Sequence, residues 1–389
     1  MHTRRTFFRP LALGLAAAVP AVLAACESSQ TTPPPATPAT AAPAPAPSAA
    51  AAPITGAAAA VDEAALDRAV SPCNDFYQYA CGGWMKATKI PDDEARWNRA
   101  FSVIQERNEL ILKGLVEAYA KGEKESDPYA KKLGDLYASC MDEGAIERAG
   151  TKPLEPYLAH VAAVKDAASF SKSIAELAKI GVNVPFAFGA EQDFKNAERM
   201  VGMIFQRGHA LPDRDYYVSE DARKKAILAK YEEHVARTFQ LLGDKPEVAK
   251  KNAATVLRVE TALAKASMKR EEMRDPHRIY NPMERAELKK LVPEIAWESY
   301  FTTVGATNLT TVNVGQPDYL KAMGKLVKST PAADLRTYLT FHVTGHFANQ
   351  LPKSFQDEAF QLRAMLSGTA KQPPRWKQCV RTVNAAAGE

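Results

Sequence analysis

Residues 71–84 read Ser71-Pro72-Cys73-Asn74-Asp75-Phe76-Tyr77-Gln78-Tyr79-Ala80-Cys81-Gly82-Gly83-Trp84. The Pro-Cys and Gly-Gly pairs are typical of turns, and the aromatic side chains are expected to fill a core. Three further blocks of similar character follow in order: LPDRDYY at 211–217, RDP at 274–276 with YNPM at 280–283, and RWKQC at 375–379. Taken singly, each block predicts a structural role: turns, packed aromatic rings, and Arg–Asp pairs that connect loops.

Taken together and in this order, the four blocks resemble the N-terminal region of the neprilysin and endothelin-converting-enzyme family of zinc metallopeptidases. The resemblance extends from residue 71 to residue 379. It implies a lid over a catalytic domain, enclosing a cavity that admits peptides and excludes folded proteins. The partners it implies are peptide substrates and a C-terminal catalytic domain, in cis or in trans.

Capping signals predict where helices begin and end. Asp127-Pro128 is typical of an N-cap followed by proline at the first helical position. The run 243–247 (Gly-Asp-Lys-Pro-Glu) is expected to end one helix and begin the next. The run 281–284 (Asn-Pro-Met-Glu) places Glu three residues after a predicted cap.

The predicted fold class is mainly α, a multi-helix region with one small β-hairpin. Two extended segments, Val182 to Ala190 and Arg199 to Gln206, have the spacing of a hairpin. In the first predicted helix, Ile104, Ile111 and Leu115 lie on one apolar stripe. The amphipathic stretches that predict helices are 97–120, 127–140, 168–180, 219–242, 246–270, 317–328, 332–349 and 354–367.

The N-terminus predicts an export signal and a tether. Residues 1–25 combine a twin-arginine pattern with an apolar stretch too short to span a bilayer comfortably, and they end in a lipobox-like Leu-Ala-Ala before Cys26. Cys26 is therefore the predicted lipidation site, and the following Glu27 favours the outer membrane. Residues 26–60 are rich in Ala and Pro and are expected to be a disordered tether. The chain is thus expected to be a lipoprotein of the bacterial envelope, facing the periplasm or the cell surface, with the membrane contacted only through the lipid.

The folded body is predicted to occupy residues 61–384, with a tail at 385–389. The chain carries 50 Lys and Arg against 45 Asp and Glu, and three of the positive charges lie in the first ten residues. A body so close to neutral is not expected to bind nucleic acid. With 46% hydrophobic and 24% charged residues, the composition excludes collagen, a coiled coil, wholesale disorder and a polytopic membrane protein.

Besides Cys26, the sequence has Cys73, Cys81, Cys140 and Cys379, and an exported protein retains disulfides. From the residues alone, three pairings are open, as are buried free thiols. The family resemblance implies a Cys140–Cys379 bridge. It also implies that Cys73 and Cys81 pair with cysteines of the C-terminal portion and are unpaired here; in a complete protein they could instead bridge each other or stay reduced.

The chemistry of the family needs two His one helical turn apart, a Glu beside the first, and a third ligand. The nearest match, His342 and His346, has Val343 where the general base should be. We therefore expect a His pair near the surface of a helix, no metal ligands and no catalytic residues in this chain. Zinc is expected in the catalytic portion, whose motifs follow further along the family's sequences.

One substrate contact is implied by the resemblance. Arg96 matches the position of an Arg that helps to hold the substrate's C-terminal carboxylate, although Ser102 and Gln105 replace its usual Asp and Arg neighbours. A guanidinium group suits a carboxylate because it can bind both oxygens. A local ion pair of Arg96 with Asp92 or Asp93 is the alternative.

The predicted function is the substrate-enclosing N-terminal portion of a neprilysin-like zinc metalloendopeptidase, truncated before the zinc site and inactive alone. The alternative is a stand-alone, non-catalytic peptide-binding or adaptor lipoprotein. A third hypothesis, an enzyme that uses His342 and His346, is the weakest. If the first holds, an apolar face that docks the catalytic domain is exposed, and the isolated chain should be marginally stable or self-associate.

Overall fold

The computed structural model describes residues 62–123 and 126–388. The predicted export signal, Cys26 and the tether lie outside these residues. Within them the fold is mainly α, as predicted, and none of the helices is long and apolar enough to cross a membrane. The helices are α1 (Phe76–Ala87), α2 (Phe101–Ala120), α3 (Pro128–Met141), α4 (Glu143–Ala149), α5 (Glu155–Ala162), α6 (Ala167–Lys179), α7 (Asp215–Val218), α8 (Ala222–Leu241), α9 (Pro246–Ala266), α10 (Arg285–Leu291), α11 (Trp297–Thr303), α12 (Pro317–Ser329), α13 (Ala332–Phe347), α14 (Lys353–Ser367) and α15 (Arg375–Ala387).

Two of the predicted helix boundaries are formed by the expected caps. The side chain of Asp127 accepts hydrogen bonds from the backbone N–H groups of Tyr129 and Ala130 at the start of α3. Gly243 follows α8 with a φ of 102°, a conformation that favours glycine, and Pro246 is the first residue of α9. The predicted boundary at Asn384 lies inside α15.

The structure corrects the predicted helix start at 281–284. Pro282–Glu284 is a strand, β3, and α10 begins only at Arg285. Glu284 is the real cap, because its side chain and that of Glu287 satisfy each other's backbone N–H groups. Asn281 instead donates its side-chain amide to the carbonyl groups of Arg278 and Val314.

Four strands form the sheet in the order β1-β2-β4-β3. The predicted hairpin is present as β1 (Phe186–Asp193) and β2 (Asn196–Gln206), which pair antiparallel. Strand β4 (Thr311–Val314) runs parallel to β2 and antiparallel to β3. The hairpin prediction is therefore extended by two short strands, which carry too few residues to give a period-two signal.

The Gly-Gly pair of the 71–84 block is not a turn, which corrects the expectation from sequence. Gly82 and Gly83 lie inside α1, which packs against the short helical segment 63–65. A Cβ on Gly83 would lie 2.4 Å from the carbonyl oxygen of Ala64, a distance that real Cβ atoms do not reach. Gly83 therefore allows close packing of two backbones.

The interior has a large core and two smaller ones. In the large core, helices α6 and α11–α13 cover the sheet, and Phe186 packs against Trp297 and Tyr300 with ring centroids 5.4 and 4.9 Å apart. A second core joins α8, α9 and α13 around Tyr231. A third joins α2, α3 and α15 around Tyr137, and it supports the surface described next.

Candidate functional site

The solvent-facing side of α2 is apolar. Phe101, Ile104, Ile111 and Leu115 are 79%, 55%, 50% and 43% exposed, and their spacing places them along one side of the helix. We call these four residues the apolar stripe. The other side of α2 contacts the third core through Val116. The stripe detected in the sequence thus points away from the core, and exposed apolar surface of this kind marks interaction sites.

Helix α1 adds further exposed apolar side chains. Asp75 caps it by accepting from the backbone N–H of Gln78. Phe76 and Tyr77 are 69% and 68% exposed, whereas Tyr79 and Trp84 are half-buried, so the rings expected to fill a core are buried only in part. Nearby, Cys73 is exposed and Cys81 is half-buried, and both are free thiols.

Arg96 lies between these two helices, in the loop of residues 88–100. It is exposed, and within the described part of the chain it forms no hydrogen bond or ion pair. The alternative pairing with Asp92 or Asp93 is not formed. Asp92 Oδ2 instead lies 2.6 Å from Lys371 Nζ, and Asp93 Oδ2 lies 2.8 Å from Lys377 Nζ.

A partly buried ionic network fixes this loop to α15. Lys377 Nζ lies 2.8 Å from both Asp93 Oδ2 and Glu94 Oε1, and 3.6 Å from Glu109 Oε2 on α2. Arg381 donates to Glu94 at 2.9 Å and to Glu109 at 2.6 Å. Burial by itself would raise the pKa of Glu94, but the hydrogen bonds from Lys377 and Arg381 outweigh it and lower that pKa. The loop that presents Arg96 is therefore held by charge as well as by chain connectivity.

The sequence did not identify this network. Lys377 lies inside the RWKQC block, yet a buried lysine cannot be recognised from one sequence because most lysines are exposed. The available signal is the run of acids 92–94 just before Arg96, of which Asp92 and Asp93 were predicted only as alternative partners of Arg96.

A disulfide joins Cys140 at the end of α3 to Cys379 in α15, with the Cα atoms 5.6 Å apart. Arg375, the first residue of the RWKQC block, donates through Nε and Nη2 to the backbone carbonyl of Cys140. The block therefore ties α15 to α3 twice, through the bridge and through the guanidinium group.

The two histidines of α13 differ in their surroundings, which corrects the expectation of a surface pair. His346 is exposed, but His342 is buried. Its Nδ1 accepts from the side-chain amide of Asn183 at 3.3 Å, and its Nε2 lies 3.0 Å from Glu260 Oε1. No cluster of three His, Cys, Asp or Glu suitable for a metal occurs in residues 62–123 and 126–388.

Glu260 is fully buried and organises the LPDRDYY block. Its Oε2 accepts from the hydroxyl groups of Tyr217 and Tyr231, each at 2.8 Å. The Tyr217 oxygen in turn accepts from the backbone N–H of Leu211. Burial and the negative charge of Glu260 raise the pKa of both tyrosines, so they remain protonated donors. This block is structural, as its composition predicts.

The sequence profile for peptidase family M13, in its N-terminal part, matches residues 72–389. Endothelin-converting enzyme 1 of Rattus norvegicus is 31% identical over 328 residues, covering 81% of this chain and 42% of the rat protein. Neprilysin-3 of Drosophila melanogaster is 28% identical, covering 83% of this chain and 44% of its own length. The chain thus spans less than half the length of these relatives.

The fold agrees with this assignment. The zinc metalloprotease ZMP1 of Mycobacterium tuberculosis, solved in complex with an inhibitor, superposes with a TM-score of 0.79 at 29% identity, covering 84% of this chain and 50% of that one. PEPO from Lactobacillus rhamnosis shares the fold with a TM-score of 0.69 at 19% identity. On the match over residues 72–389 and this shared architecture, the chain belongs to peptidase family M13.

Proposed function

We propose that this chain is the substrate-enclosing portion of a zinc metalloendopeptidase and that it acts with a catalytic portion, in cis or in trans. The observation that carries the proposal is the exposed apolar stripe of α2, which follows directly on a loop whose Arg96 has no partner among the described residues. An apolar surface next to a free cation suits a face that meets a second domain and closes over a peptide between them. The names of the relatives, an endothelin-converting enzyme and a zinc metalloprotease, support peptide hydrolysis as the shared activity.

Zinc does not fit the two histidines of α13, and residues 62–123 and 126–388 offer no other group of metal ligands. His342 is buried, with Nδ1 accepting from Asn183 and Nε2 lying 3.0 Å from Glu260 Oε1 without a hydrogen bond, and Val343 offers no general base. His346 is exposed one turn further along α13. In the proposed function the metal and its ligands therefore belong to the catalytic portion, and no chemical step is assigned to α13.

Arg96 would hold the C-terminal carboxylate of a bound peptide. Its guanidinium group is exposed and has no competing carboxylate among its described neighbours, because Asp92 and Asp93 are paired with lysines. The network of Lys377 and Arg381 keeps the loop in place, which lowers the entropy lost when a peptide binds. The expected contact is a bidentate pair, which gives geometric specificity as well as energy.

The test uses the chain together with the catalytic portion and a fluorogenic peptide made with either a free or an amidated C-terminus. R96A should lower kcat/KM for the free acid by about 10- to 100-fold, since a hydrogen bond to a charged group is worth ~1.5–3 kcal/mol. The amidated peptide should be affected much less. R99A is the matched control, because Arg99 lies in the same loop but pairs with Asp62.

Two results would contradict the proposal. One is chelator-sensitive peptide hydrolysis by the 389-residue chain alone. The other is an equal fall in kcat/KM for both peptides in R96A, which would indicate damage to the loop rather than loss of a carboxylate contact. Binding of peptides without any gain of activity on adding a catalytic portion would favour the stand-alone adaptor.

We also propose that the chain is exported and anchored by lipid at Cys26, in the outer membrane facing the periplasm or the cell surface. The support is the twin-arginine pattern, the lipobox-like run before Cys26 and the Ala/Pro-rich stretch after it. In a bacterial host, C26S should abolish incorporation of labelled fatty acid. Labelling that persists in C26S would reject the assignment.

A further inference from the structure

A cavity of about 590 Å³ lies where α13, α14 and α15 meet, and the charged residues that line it are all basic. We call it the basic cavity. Arg363 comes from α14, Arg375 and Arg381 come from α15, and His346 comes from the end of α13. The remaining lining groups are neutral and include the amide side chains of Asn349, Gln350 and Gln378.

Two of these three arginines lack a carboxylate partner among the described residues. Arg363 Nη2 donates to the side-chain oxygen of Asn349 at 3.2 Å, and Arg375 donates to the Cys140 carbonyl and to Gln356. Neither guanidinium group lies within 4 Å of a described Asp or Glu, and Glu143 acts on Arg375 only at longer range. Arg381 differs, because Glu94 and Glu109 bind it.

The surroundings of the cavity lower the pKa of two of its arginines. Although Arg363 is exposed in part, desolvation by its neighbours, together with the positive charge of Arg381, lowers its pKa. Burial also lowers the pKa of Arg375. A protonated group whose pKa is lowered in this way is destabilised by its surroundings, and an anion among these side chains would stabilise the cations.

We propose that the basic cavity binds an oxyanion, either a phosphate or a carboxylate group, with Arg363 and Arg375 as its principal contacts. Guanidinium groups match both chemistries because they offer paired N–H donors. The exposed ring of His346 and the neutral amides complete the wall. Arg96 does not line this cavity, so the site is separate from the proposed carboxylate contact and does not rest on it.

Calorimetric titration of the 389-residue chain tests the proposal with two probes, inorganic pyrophosphate and a tetra-glutamate peptide, with a tetra-glutamine peptide as the neutral control. At least one anionic probe should bind and the neutral peptide should not. R363Q should weaken that binding by about tenfold or more. R223Q, which removes an exposed arginine from the N-terminal turn of α8 and outside the cavity lining, should leave it unchanged.

A second pair of variants guards against misfolding of R363Q. Ala386 lines the basic cavity at the exposed end of α15, so A386E should place a carboxylate among the arginines and weaken anion binding. A387E, one residue further and outside the lining, should bind as the parent does.

Binding of pyrophosphate would identify phosphate as the source of the oxyanion, whereas binding of tetra-glutamate alone would identify a peptide. Absence of binding by both, or equal effects of A386E and A387E, would overturn the proposal.

Discussion

Lys377 in α15 donates a hydrogen bond to Asp93 with Nζ and Oδ2 2.8 Å apart, although 284 positions separate the two residues in the sequence. Lys377 is buried, with 9% of its side chain exposed. Hydrogen bonds to Asp93 and Glu94 outweigh the effect of burial and raise its pKa, so it remains a cation. The position of the loop that carries Arg96 therefore depends on a residue from the other end of the folded chain.

Replacing this lysine should destabilise the fold. K377M leaves Asp93 without its cation, while Arg381 still compensates Glu94 and Glu109. Because one partner of a buried ionic network is removed, we expect a loss of about 2 kcal/mol or more in the free energy of unfolding, measured in urea. K371M should cost less than about 1 kcal/mol, since Lys371 forms an exposed pair with Asp92 of the same loop. Equal effects of the two variants would show that the network contributes no more than a surface pair.

The same network predicts a dependence of stability on pH. Since the pKa of Glu94 is lowered in the folded state, its contribution is present above the ordinary value of 4.5 and is lost as pH falls through the lower, folded-state pKa. E94Q should therefore lose less stability than the parent on acidification below that value, as measured by melting temperature against pH. E106Q is the control, because Glu106 is exposed on α2 and has no ion pair with a described residue. A parallel pair of curves for E94Q and the parent would contradict the assignment.

The hydroxyl of Tyr217 should be structural. Y217F leaves the buried N–H of Leu211 without its acceptor and Glu260 without one of its donors. We therefore expect the free energy of unfolding to fall by about 1–3 kcal/mol. The adjacent Tyr216 is half-buried and forms no hydrogen bond through its hydroxyl with the described chain, so Y216F should be close to neutral. Chemical denaturation of the two variants gives the comparison. Similar losses would mean that ring packing, rather than the hydroxyl, accounts for the effect.

Much of the fold could be predicted from local patterns. The eight predicted helices and the hairpin are present because caps such as Asp127 and long apolar periodicities act over a few residues. Short elements such as α4, α7 and β3 were missed because they carry too few residues for a periodicity. The segment 281–284 was misassigned because its pairing with β4 is a contact distant in sequence.

The site was harder to predict than the fold. The pattern of Ile104, Ile111 and Leu115 defines a stripe but does not reveal whether core or solvent lies beside it. Burial of His342 depends on Glu260, a residue in another helix. Such features arise from tertiary packing, which no short window of sequence contains.

Reduction of the disulfide should weaken the isolated chain. In a C73A/C81A background the Cys140–Cys379 bridge is the one disulfide that the described residues can form, and it closes a span of 239 residues. We expect reduction to cost about 2–5 kcal/mol of unfolding free energy. The C73A/C81A background itself should match the parent, because both thiols are free in this chain. A stability that does not change on reduction would show that the bridge adds nothing to the contacts of α3 with α15.

The apolar stripe should make the isolated chain associate with itself. Four exposed apolar side chains along one side of α2 would be removed from water in a complex of two copies, as they would be on docking with a catalytic portion. Light scattering should therefore show a mass that rises with concentration for the parent, and a monomer for I104E/I111E. V248E is the matched control, because Val248 is an exposed apolar residue of α9 away from the stripe. If the parent is monomeric at every concentration and I104E/I111E still restores activity with a catalytic portion, the stripe is ordinary surface and the proposed docking face must lie elsewhere.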